Sequence, residues 1–435
     1  MIRHGAFLRV FRQAHPGVAP MSLAPRRIPH ALCCHLLGLG LAGATHAAAL
    51  TVKVHHELAV LPTPAGRVLV HELDVRNVGG SCARIVDVRA SSDAQPLRRY
   101  QGDAIAPNAL VYDARMNPLP NPAPGASALH PVDVPAGGGA VVYFFLVLDD
   151  NLPLPEALRH EVDSTDCNAA ATTRSTAVSD TPVSRAAPVV VGLPFAGHGW
   201  VAGDSPNDFG VHRRTLIPLR DGGGDPIVGR YHVPERYAID WVKVDADAHR
   251  ALGPLDRNAS YLAWGEPILA VADGTISRIR DGMAEGTPPY NPPNATVEMA
   301  AGNYIMQDIG GGHYAFYAHL QPGSLRVRVG ERVRRGQVIA LLGNSGNSSE
   351  AHLHFHVSDA NDPLLSEGVP YVFERYQATG LAGGLNERNG LFDDLGLHAP
   401  SPRFALMPPS YAVLDADADP DAVGAWAFPI RYPAQ

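Results

Sequence analysis

The stretch Ala351-His352-Leu353-His354-Phe355-His356-Val357 decides how this chain is read. Side chains of an extended strand alternate between two faces. His352, His354 and His356 therefore share one face, while Leu353, Phe355 and Val357 share the other. The pattern describes a strand with one face in an apolar core and a row of imidazoles on an open face. Imidazole is the commonest metal ligand among side chains. With 20 histidines in the chain a single one says little, so the flanking sequence has to carry the rest of the argument.

Just upstream runs Val333-Arg334-Arg335-Gly336-Gln337-Val338-Ile339-Ala340-Leu341-Leu342-Gly343-Asn344-Ser345-Gly346-Asn347-Ser348. Before it come Tyr317-Ala318-His319-Leu320 and Pro267-Ile268-Leu269-Ala270-Val271-Ala272-Asp273-Gly274-Thr275-Ile276. In this order, over roughly residues 195 to 360, the segments resemble the catalytic domain of the lysostaphin-like (LytM-type) zinc endopeptidases. That family cuts peptide bonds in bacterial cell-wall peptidoglycan. The resemblance implies a Zn2+ cofactor with Asp240 and His354 as ligands. It implies that His352 and His319 are the two non-ligand histidines, one moving the proton of the attacking water and one donating to the developing oxyanion. Asn303 and Tyr317 are expected beside them as substrate-binding residues.

One landmark departs from the family. Its members usually carry His-x-Gly-x-Asp, whose His is the first zinc ligand, where this chain has Arg236-Tyr237-Ala238-Ile239-Asp240. A guanidinium does not deprotonate in a protein, so Arg236 cannot be a ligand. His198, His212 and His232 are the upstream candidates to replace it, unless no protein residue does. Lysostaphin-like relatives with an Arg-aromatic-Ala-Ile-Asp-Trp strand share an upstream His-Arg pair, which favours His212. His232 is nearer in the chain, but Pro234 intervenes and no motif surrounds it. With His212 as ligand, Arg236 must point away from the ion or pair with a carboxylate, because a bare like charge beside zinc is costly. The alternative is a catalytically inactive relative that binds the wall or activates another hydrolase. The presence of Asp240, His319, His352 and His354 together argues for catalysis.

A chain of 435 residues exceeds one compact core and divides into two or three domains. Its 46% hydrophobic and 18% charged content fits a folded protein, and 39 Pro with 43 Gly point to a mainly β, turn-rich fold. A net charge of -8 argues against nucleic acid as a partner and leaves a peptidoglycan peptide substrate open. Nothing in the sequence specifies an oligomeric state.

Residues 1–49 read as a signal peptide region: Arg26-Arg27, an apolar run from Ala31 to Ala44, then Ala47-Ala48-Ala49. Met21 is an alternative start. The run is too short for a membrane span, so none is expected after its removal, and the product would be periplasmic or secreted. Cys82 and Cys167 remain and are expected to pair, as exported cysteines do.

Residues 50–184 carry strand signals at short intervals and read as a β-sandwich accessory domain, with Thr165–Ala187 as a Ser/Thr-rich linker. Residues 188–375 correspond to a lysostaphin-like antiparallel β-sheet domain. Within it, Pro267–Ala272 and Thr275–Arg280 are expected to form a hairpin at Asp273-Gly274, and Asn303–Ile309 another with His313–Leu320. In the latter, Tyr317 and His319 should share a face. Met283–Ala301 reads as an irregular insertion, Glu374–Gly380 as a short helix, and residues 376–435 as an extension without assigned function. Asp415-Ala416-Asp417-Ala418-Asp419 lacks the remaining spacing of a calcium loop and reads as solvated acid.

Overall fold

Alternation organises the N-terminal half of the protein. In strand Gly66–Asn77, Leu69, Leu73 and Val75 enter an apolar core together with Ile85, Val88, Leu158 and Val162 from a second sheet. Two antiparallel sheets thus face each other. The first runs Leu50–Val54, Gly66–Asn77, Gly139–Leu148, Ala109–Tyr112, with Val60–Thr63 also paired to Gly66–Asn77. The second runs Ser175–Pro182, Ala157–Asp166, Ala83–Ser92, Gln95–Gln101, with Val132–Val134 also paired to Ala83–Ser92. This computed structural model describes residues 49–93, 95–119, 132–167, 174–293, 295–386 and 391–416. Residues 1–48, which include most of the expected signal peptide region, and Asp417 and Asp419 lie outside the described residues.

The apolar run Ala140–Leu148 is continuous because both its faces are covered. Ala140, Val142, Phe144 and Leu146 fill the sandwich core, while Val141 and Tyr143 pack against Tyr231 and Val233 of the C-terminal half. Cys82 and Cys167 are disulfide-bonded at the ends of two paired strands, where Ala83 stands opposite Asp166. Part of the expected linker is instead a strand. Ser175–Pro182 pairs with Ala157–Asp166 along its whole length and completes the second sheet.

The C-terminal half is built on one sheet of eleven strands. Its order is Val189–Val191, Tyr371–Leu381, Ala412–Ala416, Gly197–Ala202, Ile239–Lys243, Leu353–Ser358, His313–Leu320, Asn303–Gly310, Gly274–Arg280, Arg332–Val333, with Ser401–Leu406 beside Tyr371–Leu381. Leu353, Phe355 and Val357 enter its core with Trp200, Trp241 and Phe373. Glu374–Gly380 is therefore strand and not helix: Ser401–Leu406 and Ala412–Ala416 flank it with backbone hydrogen bonds that local propensity does not foresee. Asp273-Gly274 does not close a hairpin either. Pro267–Leu269 pairs with Val338–Leu341, whereas Gly274–Arg280 pairs with Asn303–Gly310, so the chain changes sheets at that turn. The triglycine turn behaves as read, with positive φ at Gly310, Gly311 and Gly312 between two paired strands. No described helix is long and apolar enough to cross a membrane.

Candidate active site

Strand Leu353–Ser358 lies between Ile239–Lys243 and His313–Leu320, in a register that sets Asp240 opposite His354 on one side and Ala318 opposite it on the other. Directly opposed side chains meet across an antiparallel pair, and Asp240 Oδ1 stands 3.0 Å from His354 Nδ1. His212 arrives from outside the sheet, on the single 3-10 turn His212–Arg214. Its Nε2 is 3.3 Å from Asp240 Oδ2. Ligand atoms of His212, Asp240 and His354 all lie within 4.8 Å of one another. His198 and His232 are elsewhere, paired with Asp415 at 3.0 Å and Glu367 at 3.1 Å.

These three residues fit a zinc ion. Donors about 2.1 Å from a tetrahedral ion stand about 3.4 Å apart, close to the 3.0 and 3.3 Å separations here. Two imidazoles and a carboxylate are a zinc-type donor set with a position left over for substrate or water. The far nitrogen of each imidazole also has a partner. His212 Nδ1 is 3.2 Å from Asp204 Oδ2, and His354 Nε2 is 3.0 Å from His356 Nδ1. An N–H donated to those partners leaves a lone pair on the nitrogen that faces Asp240.

The electrostatics favour a cation at the same place. Burial alone would push the Asp240 carboxyl up, but the His212 and His352 charges outweigh it and hold the group well below the usual carboxylate range. Burial opposes a charge on His212 too, yet Asp240 and Asp204 raise it to about 10. His352 is raised against burial by Asp240 in the same way. His319 moves in the opposite direction, pushed well below its ordinary value by burial and then by His352 and His354.

His319 reaches this group through a backbone irregularity. Tyr317 stands opposite Ile305 and Leu320 opposite Asn303, so one strand has an extra residue between the two pairs. Such a bulge re-aims a side chain. His319 adopts φ 62, a left-handed conformation uncommon for a residue other than glycine. Its ring comes to 4.6 Å from the His352 ring and 6.0 Å from the His354 ring. His319 Nδ1 is 2.7 Å from the Ser345 carbonyl, and His352 Nδ1 is 2.9 Å from the Glu350 carbonyl. Both bonds leave Nε2 free to exchange a proton. His352 Nε2 lies 3.5 Å from Asp240 Oδ1.

Two expectations need correction. Asn303 and Tyr317 are not on a substrate surface, since each is 0% exposed. Asn303 spends its amide on Met283 and Leu320 carbonyls and accepts from the Met283 N–H. Tyr317 packs on Phe355 in the core, donates to Gln307 Oε1 at 2.7 Å and accepts from the Val271 N–H at 2.9 Å. The bulge is the reason that Tyr317 and His319 part company. Nor is the imidazole face open: His352, His354 and His356 are 9%, 4% and 0% exposed, covered in part by His212 and Phe316.

Arg236 lies in the turn before strand Ile239–Lys243, clear of the three donors. Its Nε donates to Glu72 Oε2 and its Nη2 to Glu367 Oε2, both at 2.8 Å. Two partners were missed by sequence reasoning. Asp204 sits in a loop where no periodicity marks it. His356 was visible on the same face as His354, and its place behind that ring is what alternation implies.

Residues 260–365 match the family model described as Peptidase family M23. That segment contains His319, His352 and His354, while His212 and Asp240 lie upstream of it. An uncharacterized metalloprotease of Haemophilus influenzae is 37% identical over 106 residues, covering 24% of this chain and 19% of that protein. The peptidoglycan DD-endopeptidase ShyA of Vibrio cholerae is 36% identical over 87 residues, 19% of this chain and 20% of that protein. The chain thus spans about a fifth of the length of these relatives. Among solved structures, the catalytic domain of lysostaphin from Staphylococcus simulans aligns at 20% identity with a TM-score of 0.21, over 39% of this chain and 88% of that one. The segment that matches Peptidase family M23 is thus the one that supplies three of the five clustered site residues.

Proposed function

We propose that the protein is an exported zinc-dependent endopeptidase that hydrolyses peptide bonds in bacterial peptidoglycan. The observation that carries this reading is the cluster of His212, Asp240 and His354 with His319 and His352 beside it, in a chain that matches this family. Three relatives named as peptidoglycan DD-endopeptidases, ShyA, ShyB and ShyC of Vibrio cholerae, support the substrate class.

His212 Nε2, an Asp240 carboxylate oxygen and His354 Nδ1 would hold the ion. Bound there, zinc would lower the pKa of a bound water to about 7 and polarise the scissile carbonyl. The chain itself supplies proton traffic and charge stabilisation. Carbonyls of Ser345 and Glu350 hold His319 and His352 in the tautomer whose Nε2 accepts a proton. One of these imidazoles takes the proton of the attacking water and delivers it to the leaving nitrogen. The other, protonated, donates to the oxyanion. Asp204 and His356 orient the two ligand imidazoles, and the surrounding burial removes competing water from the charges.

In this reading the sandwich is an accessory domain and the peptidase domain begins near residue 188. It runs past residue 375, because Ser401–Leu406 and Ala412–Ala416 belong to the same sheet. The Cys82–Cys167 bond and the leader-like N-terminus support export.

Metal analysis of the purified chain together with digestion of isolated peptidoglycan tests the proposal. Stoichiometric zinc and release of peptides with new amino termini are expected. A zinc-free protein that leaves every peptidoglycan intact overturns it, and zinc without cleavage would point to the inactive wall-binding relative.

A further inference from the structure

Two of the three proposed ligands sit on segments that the large sheet does not hold alone. His212 lies on a single 3-10 turn, and Asp240 follows a turn at the entry to its strand. Both segments are gripped by the sandwich, and by neighbouring residues. Glu72 and Tyr143 are direct cross-strand partners on its outer face. Glu72, 1% exposed, receives the Arg236 Nε–H just ahead of Asp240. Tyr143, 2% exposed, lies against the guanidinium groups that follow His212: Arg214 at 4.9 Å and Arg213 at 5.7 Å from the ring centre.

Further contacts reinforce the grip on the His212 loop. Arg214 Nη1 donates to the Pro107 carbonyl at 2.7 Å, and Arg98 Nη2 to Asp208 Oδ2 at 3.4 Å, both joining that loop to the sandwich. Within the loop, Arg213 and Arg214 donate to the Asn207 and Asp208 carbonyls, so the shape of the turn and its docking are set by the same side chains. Arg236 is fastened on its other side to Glu367. The residue standing where related chains carry a metal ligand is here a clamp to another part of the molecule.

From this juxtaposition we infer that the Glu72–Tyr143 pair is a positioning element of the metal centre, so that zinc affinity depends on docking of the sandwich. The inference rests on the zinc reading above. The physical reason is tolerance. A ligand set works only within about half an ångström of its proper geometry, and loop-borne ligands hold that geometry only if their supports do. Removing Glu72 leaves a buried guanidinium with one carboxylate fewer, and removing the Tyr143 ring leaves two arginines without their shared platform. Either change releases a ligand-bearing segment without touching a ligand. Linkage makes the coupling reciprocal: if docking tightens zinc binding, zinc must tighten docking to the same extent.

The test uses the full chain and zinc titrated against a chelator of known affinity, on protein shown by circular dichroism to be folded. Tyr143→Leu and Glu72→Gln should weaken zinc binding about 10–100-fold, the usual range for loss of a group supporting a ligand. Tyr143→Phe should keep wild-type affinity, because the ring remains and the hydroxyl has no hydrogen-bond partner among the described residues. Zinc should also slow amide exchange in Gly139–Leu148 of the wild type. A contact that merely stabilises the fold would lower the melting temperature without moving either readout. If Glu72→Gln fails to fold, Arg98→Ala, which frees Asp208 at a partly exposed site, carries the same test with an expected loss of about two- to fivefold. Folded variants that bind zinc as the wild type does overturn the inference and leave the zinc reading standing. A wild type that binds no zinc overturns both.

Discussion

In the sandwich, His71 and His160 meet Nε2 to Nε2 at 2.9 Å, with Phe144 stacked on one ring and edge-on to the other. At the large sheet, His352 and His354 are also buried and His212 is mostly enclosed, but these three gather around Asp240. Burial pushes His160 down to about 4 and His71 well below its ordinary value, so that pair stays neutral at neutral pH. Burial acts on His212 and His352 in the same direction and loses, because the Asp240 charge is close enough to raise both. Nearby carboxylate charge, that of Asp240 above all, separates a packing pair from a cation site. Counting histidines does not make that distinction, and neither does measuring their exposure.

The largest expected effect comes from removing that carboxylate. Asp240→Asn should convert the second cluster into something like the first, losing zinc and lowering peptidoglycan hydrolysis at least ~1,000-fold, as expected when the metal's contribution goes. His354→Ala should behave alike. Elemental analysis and a muropeptide assay read both variants, and stoichiometric zinc in Asp240→Asn would break the comparison.

A smaller effect should follow at the two imidazoles that are not ligands. His319→Ala and His352→Ala should each lower kcat by about 10²–10⁴, the usual range for a general acid or base. Zinc content should remain near wild type, and its loss would move the residue into the ligand set.

The neutral pair makes a prediction about acid. The folded-state value of His160 lies below its value of 6.5 in the unfolded chain, so on acidification the unfolded chain takes up the proton first. The stability owed to keeping this ring neutral is complete above pH 6.5 and is lost as pH falls towards 4. Urea titrations at pH 7 and pH 5 should differ by roughly 2 kcal/mol from this group. A His71→Leu/His160→Leu double variant should lack that share of the difference, and an unchanged difference would show that the pair does not titrate as described.

The smallest change is Tyr317→Phe. It removes a donor to Gln307 and an acceptor for Val271 N–H, costing about 1–2 kcal/mol of stability. Zinc content and KM should not move. A large rise in KM would return Tyr317 to the substrate surface.

How much of this was readable in advance differs from segment to segment. Strand alternation put His352, His354 and His356 on one face and their apolar neighbours in the core, because a period of two is a property of extended backbone itself. The same rule failed at Tyr317 and His319. A bulge changes the period by one residue, and pairing with Asn303–Gly310 produces that bulge, which local composition does not announce. It failed again at Glu374–Gly380, where flanking strands impose an extended chain. Asp273-Gly274 had the composition of a hairpin turn but joins strands whose partners lie in different sheets.

Chemistry intrinsic to a side chain was decided by the sequence alone. Arg236 cannot ligate a metal wherever it lies, and buried in this fold it needs a carboxylate partner. Which carboxylates it would find, and which histidine would stand beside Asp240, were decided by tertiary structure. Glu72 comes from the sandwich, Glu367 from beyond the last motif, and His212 from a loop outside the sheet. Contacts between segments so distant in the chain depend on how whole sheets pack, and no local period or propensity records that packing.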